Sequence, residues 1–240
     1  MKRMSSATFY DLVTKLGNFR VCTWNSHTLF HCGEINGNLS EKKCVYVEKL
    51  ISSAEIVILQ KVHGNHHDLE YLANRCPTHR FFGSWISMRA AGGLITAISK
   101  KLIGDSAATA TEIRDGRVMC VSFSIGGVKV AVVNVHIDME LHMASRKATI
   151  SDIGLWARRN NDTTIFVVGE LNFCAIDEGI FSVSIGESVN RHTGLAEACD
   201  SALNMTELEC PAFTHRSEPY GRPASFSRID RCYINLSLPD

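Results

Sequence analysis

Five times along the chain, a run of β-branched and aromatic residues breaks off into polar side chains. The runs are FRVCTWN at Phe19–Asn25, EIVILQK at Glu55–Lys61, VKVAVVNVHID at Val128–Asp138, TTIFVVGELN at Thr163–Asn172 and FSRIDRCYIN at Phe226–Asn235. Their residue types pack well on a pleated surface, so each predicts a strand with chemistry-capable residues at its end. Helical patterns lie between some of them. Asn38–Ala54 starts with cap-capable Asn38 and Ser40, has Glu41 in its first turn, and sets Cys44, Val47, Leu50 and Ile51 on one face. His66–Cys76 and Leu141–Arg159 are also amphipathic, the second through Ile150, Ile153 and either Trp156 or Leu155. In the middle, Gly92–Lys101, Ala108–Arg114, Val118–Ile125 and Val128–His136 read as consecutive strands, the last two joined by a Gly126-Gly127 hairpin turn. Helices beside some strands and hairpins between others predict an α/β architecture, with two mixed sheets packed face to face and helices outside.

Composition narrows the functional classes. Two hundred and forty residues, 45% of them apolar, suit one sizeable globular domain, placed here at residues 19–240 behind an N-terminal extension of residues 1–18. Within it, Asp177–Pro219 breaks periodicity and predicts long loops. Twenty-five basic and twenty-five acidic side chains cancel, so any site for a polyanion has to be local. Nine cysteines without a CxxC pair fit neither a disulfide framework nor a zinc site, and predict free thiols in a reducing compartment. The first nineteen residues lack an unbroken apolar stretch and no later run could span a bilayer, which predicts a soluble, intracellular protein, nuclear or cytoplasmic, without a membrane partner.

Taken in order, the segments TWN (23–25), LQKVHG (59–64), GGL (92–94), VNVH (133–136), GELN (169–172) and SRID (227–230) resemble the endonuclease/exonuclease/phosphatase superfamily. Within it they look most like the endonuclease domains of non-LTR retrotransposons. The resemblance implies a four-layered α/β sandwich, a Mg²⁺ ion, and hydrolysis of phosphate esters where strand ends of the two sheets meet. It implies a nucleic-acid partner, DNA in preference to RNA; the oligomeric state is left open by the sequence, with a monomer as the default expectation. Carried over by position, Asn25 corresponds to the metal-shell asparagine and His136 to the histidine that contacts the scissile phosphate. Asn172 corresponds to the asparagine that holds phosphate and attacking water, and Glu170 stands where an aspartate with catalytic and metal-binding roles is usual. Asp230 would pair with Arg228 or support the site. From residue types alone, each also has a plain reading: a strand-end turn for Asn25, Glu170 and Asn172, a satisfied core histidine for His136, a surface ion pair for Asp230.

Three departures oppose catalysis. The glutamate expected as principal metal ligand is Lys61, and an ammonium has no lone pair for Mg²⁺. At about 4 Å and an effective dielectric of about 20 a unit-charge pair is worth about 4 kcal/mol, so replacing a carboxylate by an ammonium beside a divalent ion costs on the order of 10 kcal/mol. Glu170 is one methylene longer than the usual aspartate, a displacement of about 1 Å that costs about 100-fold in a preorganised site. No histidine follows His215, so the closing Ser-Asp-His motif and its strand are expected to be missing. Hydrolysis is therefore expected to be impaired or lost, with a non-catalytic relic or nucleic-acid-binding module as the alternative. Lys61 either lays its stem along the sheet with its ammonium in water, or occupies the vacated cation position and pairs with phosphate.

Other features rank lower. Arg216, Arg222, Arg228 and Arg231 form a modest basic patch, either solvated or following a phosphate backbone. His63, His66, His67 and Asp68 straddle a loop-to-helix boundary instead of forming a metal site, and Gly92-Gly93 reads as a strand-entry bend.

Overall fold

The computed structural model describes residues 7–14, 17–30, 38–86, 92–173, 180–182, 188–189, 193–208, 215–217, 225–227 and 229–235. The first sheet has five strands, β1 (Thr8–Thr14), β2 (Gly17–Asn25), β3 (Ile56–Gln60), β4 (His79–Ser84) and β5 (Leu94–Ser99), in the order β1-β2-β3-β5-β4. Six more, β6 (Thr109–Arg114), β7 (Val118–Ile125), β8 (Val128–His136), β9 (Thr164–Glu170), β12 (Thr206–Glu207) and β15 (Asp230–Ile234), build a second sheet in the order β12-β15-β9-β8-β7-β6. Short strands β10 (Ile180–Ser182), β11 (Ser188–Val189), β13 (His215–Ser217) and β14 (Ser225–Ser227) make a small third sheet. The helices are α1 (Asn38–Ser53), α2 (His66–Arg75), α3 (Lys100–Ile103), α4 (Met143–Arg159) and α5 (Thr193–Leu203).

Side-chain alternation along the strands creates the layers. In β3, Ile56 and Ile58 face the second sheet and pack with Val121, Val132, Phe166 and Val168. Val57 and Leu59 point the other way, against Val47, Leu50 and Ile51 of α1 and Leu72 of α2. Likewise Val133, Val135 and Val167 face Ile150 and Ile153 of α4 and Leu195 and Cys199 of α5. Helix, sheet, sheet and helix thus stack in four layers, as the strand and helix patterns predicted. On α4 it is Trp156 that packs toward this layer, whereas Leu155 stays exposed.

Several expectations resolve differently. Residues 8–14, set within the N-terminal extension, run antiparallel to β2 as the edge strand of the first sheet. Phe226–Asn235 is not one strand: β14 joins the small sheet and β15 pairs with β9. The Asp177–Pro219 span contains α5, whose Leu195 and Cys199 are buried beneath α4. The Gly126-Gly127 turn has φ of 56° and 84°, the two positive values a type I′ hairpin requires. Six described cysteines are buried free thiols. No described helix is long and apolar enough to cross a membrane. The cap side chains of Asn38 and Ser40, the side chain of Arg216, and Arg222 and Arg228 altogether, lie outside the described residues, as do residues 236–240.

Two parallel strand pairs decide where a site can form. Asn25 at the end of β2 lies level with Gln60 at the end of β3, and His136 at the end of β8 lies level with Glu170 at the end of β9. Carboxyl ends of parallel strands are where open α/β sheets place ligands. A neutral network just inside these ends locks the sheets together: Gln60 Nε2 donates to Thr23 Oγ1 (3.0 Å) and Asn134 Oδ1 (3.2 Å), and Asn134 Nδ2 donates to Leu59 O (3.2 Å) and Ile95 O (3.0 Å). A fully satisfied buried amide pair of this kind fixes the register of one sheet against the other.

Candidate functional site

Gly169 makes the approach of β9 to β8 close enough for the site. A Cβ at that position would collide with the Val135 carbonyl, and its φ is 146°. The next residue, Glu170, is buried, and its carboxylate is the focus of the cluster. Asn25 Nδ2 donates to Glu170 Oε2. Lys61 Nζ lies 3.6 Å and His136 Nε2 3.5 Å from the same oxygen. Asn172, at φ 54°, stands beside Glu170, where it helps draw the carboxyl pKa down, and donates from Nδ2 to Ile137 O at 2.7 Å. Asn25, Lys61, His136, Glu170 and Asn172 therefore come together from four strand ends and the turns that follow them.

Backbone geometry explains why Lys61 points inward. Strict alternation after Gln60 would send it to the helix side of the sheet, but its φ of 53° breaks the alternation. Neighbouring loops hold that left-handed residue in place. Its carbonyl accepts from Thr28 N (2.7 Å), Ser26 N donates to Gln60 O (3.0 Å), and Val62 and His63 N donate to Gly93 O and Gly92 O (3.2 and 3.1 Å). The Gly92-Gly93 segment is thus a strand-entry bend that clamps the lysine turn. Opposite it, the buried Lys43 of α1 donates from Nζ to the carbonyls of Ser26, His27 and Thr28 at 2.8, 2.6 and 2.6 Å. That ammonium holds the loop after Asn25, in which His27 and Thr28 have φ of 43° and 70°.

Hydrogen-bond partners assign the protons. His27 N–H can only donate, and it donates to Asn25 Oδ1 at 3.2 Å, so the Asn25 nitrogen is the atom that faces Glu170. Arg117 Nη1 lies 2.8 Å from His136 Nδ1, and a guanidinium cannot accept. Nδ1 is therefore the acceptor and Nε2 carries the hydrogen. This Nε2–H is buried without a hydrogen-bond partner, since 3.5 Å to Glu170 exceeds an ordinary bond. Burial first, then the charges of Lys61 and Arg117, hold the His136 pKa well below the usual histidine range, so it is neutral at pH 7. Burial pushes the Glu170 carboxyl up, and the Lys61 charge and the neighbouring Asn172 amide pull it back down.

Magnesium needs hard oxygen ligands. Here one carboxylate oxygen already takes Asn25 and faces an ammonium, and Asn25 turns its nitrogen to the cluster. Asp138, the next carboxylate whose charge reaches Glu170, is tied to Arg117 Nη2 at 2.8 Å. Among the described residues no group of three or more His, Cys, Asp and Glu could hold a metal ion. The residues present do not fit the Mg²⁺ that the resemblance implies.

Asp230 sits level with Glu170 across β15 and β9, is buried, and its charge helps raise the Cys22 thiol pKa after burial itself. Its expected partner Arg228 lies outside the described residues. The basic-patch reading of Arg231 is corrected: its guanidinium is fully buried, stacks 4.7 Å over the Phe173 ring, and forms a two-pronged pair with Glu207 at 2.6 and 2.8 Å. Around His63 the groups serve local structure. Asp68 completes the capping box of α2 with Asn65, His63 Nδ1 meets Thr28 Oγ1 at 3.1 Å, and His67 is exposed. Sequence reasoning passed over Lys43, Arg117, Asn134 and Arg146. Arg146 of α4, also buried, donates from Nη2 to Asn172 O at 2.6 Å. Asn134 alone left a trace, as a polar residue inside the apolar run VAVVNVH.

No protein-family model matches the chain, and no curated protein matches it in sequence. Solved structures do match in shape. The AP endonuclease LMAP from Leishmania major superposes with a TM-score of 0.66 at 13% identity, covering 95% of this chain and 79% of its own. The fold is that of the endonuclease/exonuclease/phosphatase superfamily. The same superfamily fold in the endonuclease domain of TRAS1, a telomere-specific non-LTR retrotransposon, gives 0.56 at 14% identity over 80% of this chain and 78% of that one. Danio rerio TDP2, in complex with a single-strand DNA product, gives 0.56 at 14% over 98% and 87%. At these identities the likeness is one of fold, and within the superfamily fold the cluster occupies the meeting point of strand ends from both sheets.

Proposed function

We propose that the strand-end cluster is a nucleic-acid phosphodiester site, DNA in preference to RNA, that binds its ligand and has lost or nearly lost hydrolysis. The observation that carries this reading is the convergence of donors: Lys61 Nζ, the unpartnered Nε2–H of buried His136, and the amides of Asn25 and Asn172 around one carboxylate. Phosphoryl oxygens are acceptors, and a phosphate diester carries the charge that an ammonium and a polarised imidazole N–H recognise. In this reading His136 and Asn172 contact the phosphate, and Glu170 holds the lysine and the Asn25 amide in place. A solved neighbour with a single-strand DNA product on the same fold supports the choice of polymer.

The test is fluorescence anisotropy of a short labelled single-stranded DNA at low salt, beside a nicking assay on supercoiled plasmid. The native chain should bind, with affinity falling as KCl rises, and should leave the plasmid intact in Mg²⁺. His136→Gln should weaken binding about tenfold, the worth of one lost hydrogen bond to a charged group. No affinity at low salt would remove the nucleic-acid reading. Nicking by the native chain that chelation abolishes would replace binding by catalysis, a reading that rests on Glu170, His136 and Asn172 having stayed together.

A further inference from the structure

Within this site the chain carries a cation of its own. Lys61 is held at φ 53° by backbone bonds from both sides, which is costly for a non-glycine residue and unnecessary for a lysine that merely reaches solvent. Its ammonium lies 3.6 Å from Glu170 Oε2, and Glu170 is its one partner among the described residues. An ammonium has three donors, so the pair leaves hydrogens for an anion. The side chain is a quarter exposed while Glu170 is almost fully enclosed, so the lysine stands at the mouth and the carboxylate behind it. We propose that the Lys61 ammonium is a tethered cation in the position the fold's resemblance assigns to a divalent metal. The native chain then takes its phosphate ligand without metal, and restoring a carboxylate at that one position recreates a metal site. This rests on reading the cluster as a phosphate site.

Electrostatics support the exchange. Glu170 is buried and needs one positive neighbour, and a covalently attached ammonium supplies it at a fixed distance with no dependence on metal concentration. A divalent ion brought beside the same oxygen would meet the positive ends of Lys61 and of the Asn25 and His136 donors at once.

Mn²⁺ binding, read by the loss of the free-ion electron paramagnetic resonance signal, tests the inference directly. The native chain and Lys61→Gln should show no saturable binding, and Lys61→Glu should bind one equivalent, with a thermal midpoint that Mn²⁺ raises. Saturable binding by the native chain, or a Lys61→Glu protein as indifferent to Mn²⁺ as the native one, overturns it. Should Lys61→Glu fail to fold, DNA affinity decides. The native chain should bind equally in chelator and in Mg²⁺ at matched ionic strength, and Lys61→Gln should lose about tenfold in both. Native binding that appears only with Mg²⁺ overturns the inference. A native chain that binds no DNA, with the Mn²⁺ results as expected, removes the nucleic-acid reading and leaves the tethered cation standing.

Discussion

Arg231–Glu207 and Lys61–Glu170 are both pairs of a cation and a glutamate on or against the second sheet, and their geometry separates structure from function. Arg231 is sealed. Its guanidinium makes two short bonds to Glu207 and stacks on Phe173, with no exposed side-chain surface. Lys61 is open: one contact of 3.6 Å, a quarter of the side chain exposed, and a buried, partnerless imidazole N–H beside it. A saturated pair can do nothing but hold elements together, here β15 to β12 beneath the turn after β9. An unsaturated one keeps bonding capacity for a ligand, which is why perturbed and under-partnered groups mark sites.

The largest expected effect lies on the sealed pair. Arg231→Met removes a fully buried guanidinium from its stack on Phe173 and leaves the part-exposed Glu207 without its cation, and should cost about 3 kcal/mol in urea unfolding. A loss well under that would show that the pair behaves like a screened surface one and erase the contrast. Asn134→Leu comes next: it removes the donor to Leu59 O, Ile95 O and Thr96 Oγ1 and leaves Gln60 Nε2 with Thr23 Oγ1 alone, for about 2 kcal/mol, without touching the strand-end donors. Its DNA affinity, measured at a temperature where it is folded, should equal the native value.

Smaller still is the pH dependence. Burial holds the His136 and His79 pKa values below their usual range. The unfolded chain therefore takes up these protons first as pH falls below about 6.5, so stability present above that pH is lost going down toward the folded pKa values. The thermal midpoint should drop between about pH 7.5 and about pH 5.5, and a flat profile would mean both imidazoles are hydrated. Smallest in stability is Lys61→Met, which should stay within about 1 kcal/mol because burial already raises the Glu170 carboxyl, and without the Lys61 charge that lowers it the carboxyl takes up a proton instead of standing as an unpaired charge. The same variant should lose about tenfold in DNA affinity, the reverse of the Arg231 result. Equal stability and affinity losses at both positions would sink the distinction.

The layers and the strand ends were legible in the sequence because alternation and chain order are local. Val57 and Leu59 against Ile56 and Ile58 sort themselves to opposite faces with a period of two, and TWN, VNVH and GELN carry their polar residues to the ends of such runs. The edge strand at Thr8–Thr14 and helix α5 were not legible: the first, TFYDLVT, mixes polar and apolar residues without strict alternation, and the second lies in a span broken by Gly and Ser. For the site, Asn25, His136, Glu170 and Asn172 could be named from motifs, yet their supports could not. Lys43 reads as one more solvated lysine on a helix, and only folding buries it against three carbonyls.

By itself, then, the sequence determined a layered α/β sandwich, the residues delivered to its strand ends, and a lysine where the resemblance calls for a carboxylate. Tertiary structure alone decided what those charges do. Composition cannot tell Arg231 from Lys61, because the free energy of an ion depends on what surrounds it: enclosure and a two-pronged carboxylate close one, while a left-handed turn aims the other at Glu170 and leaves its remaining hydrogens for a ligand.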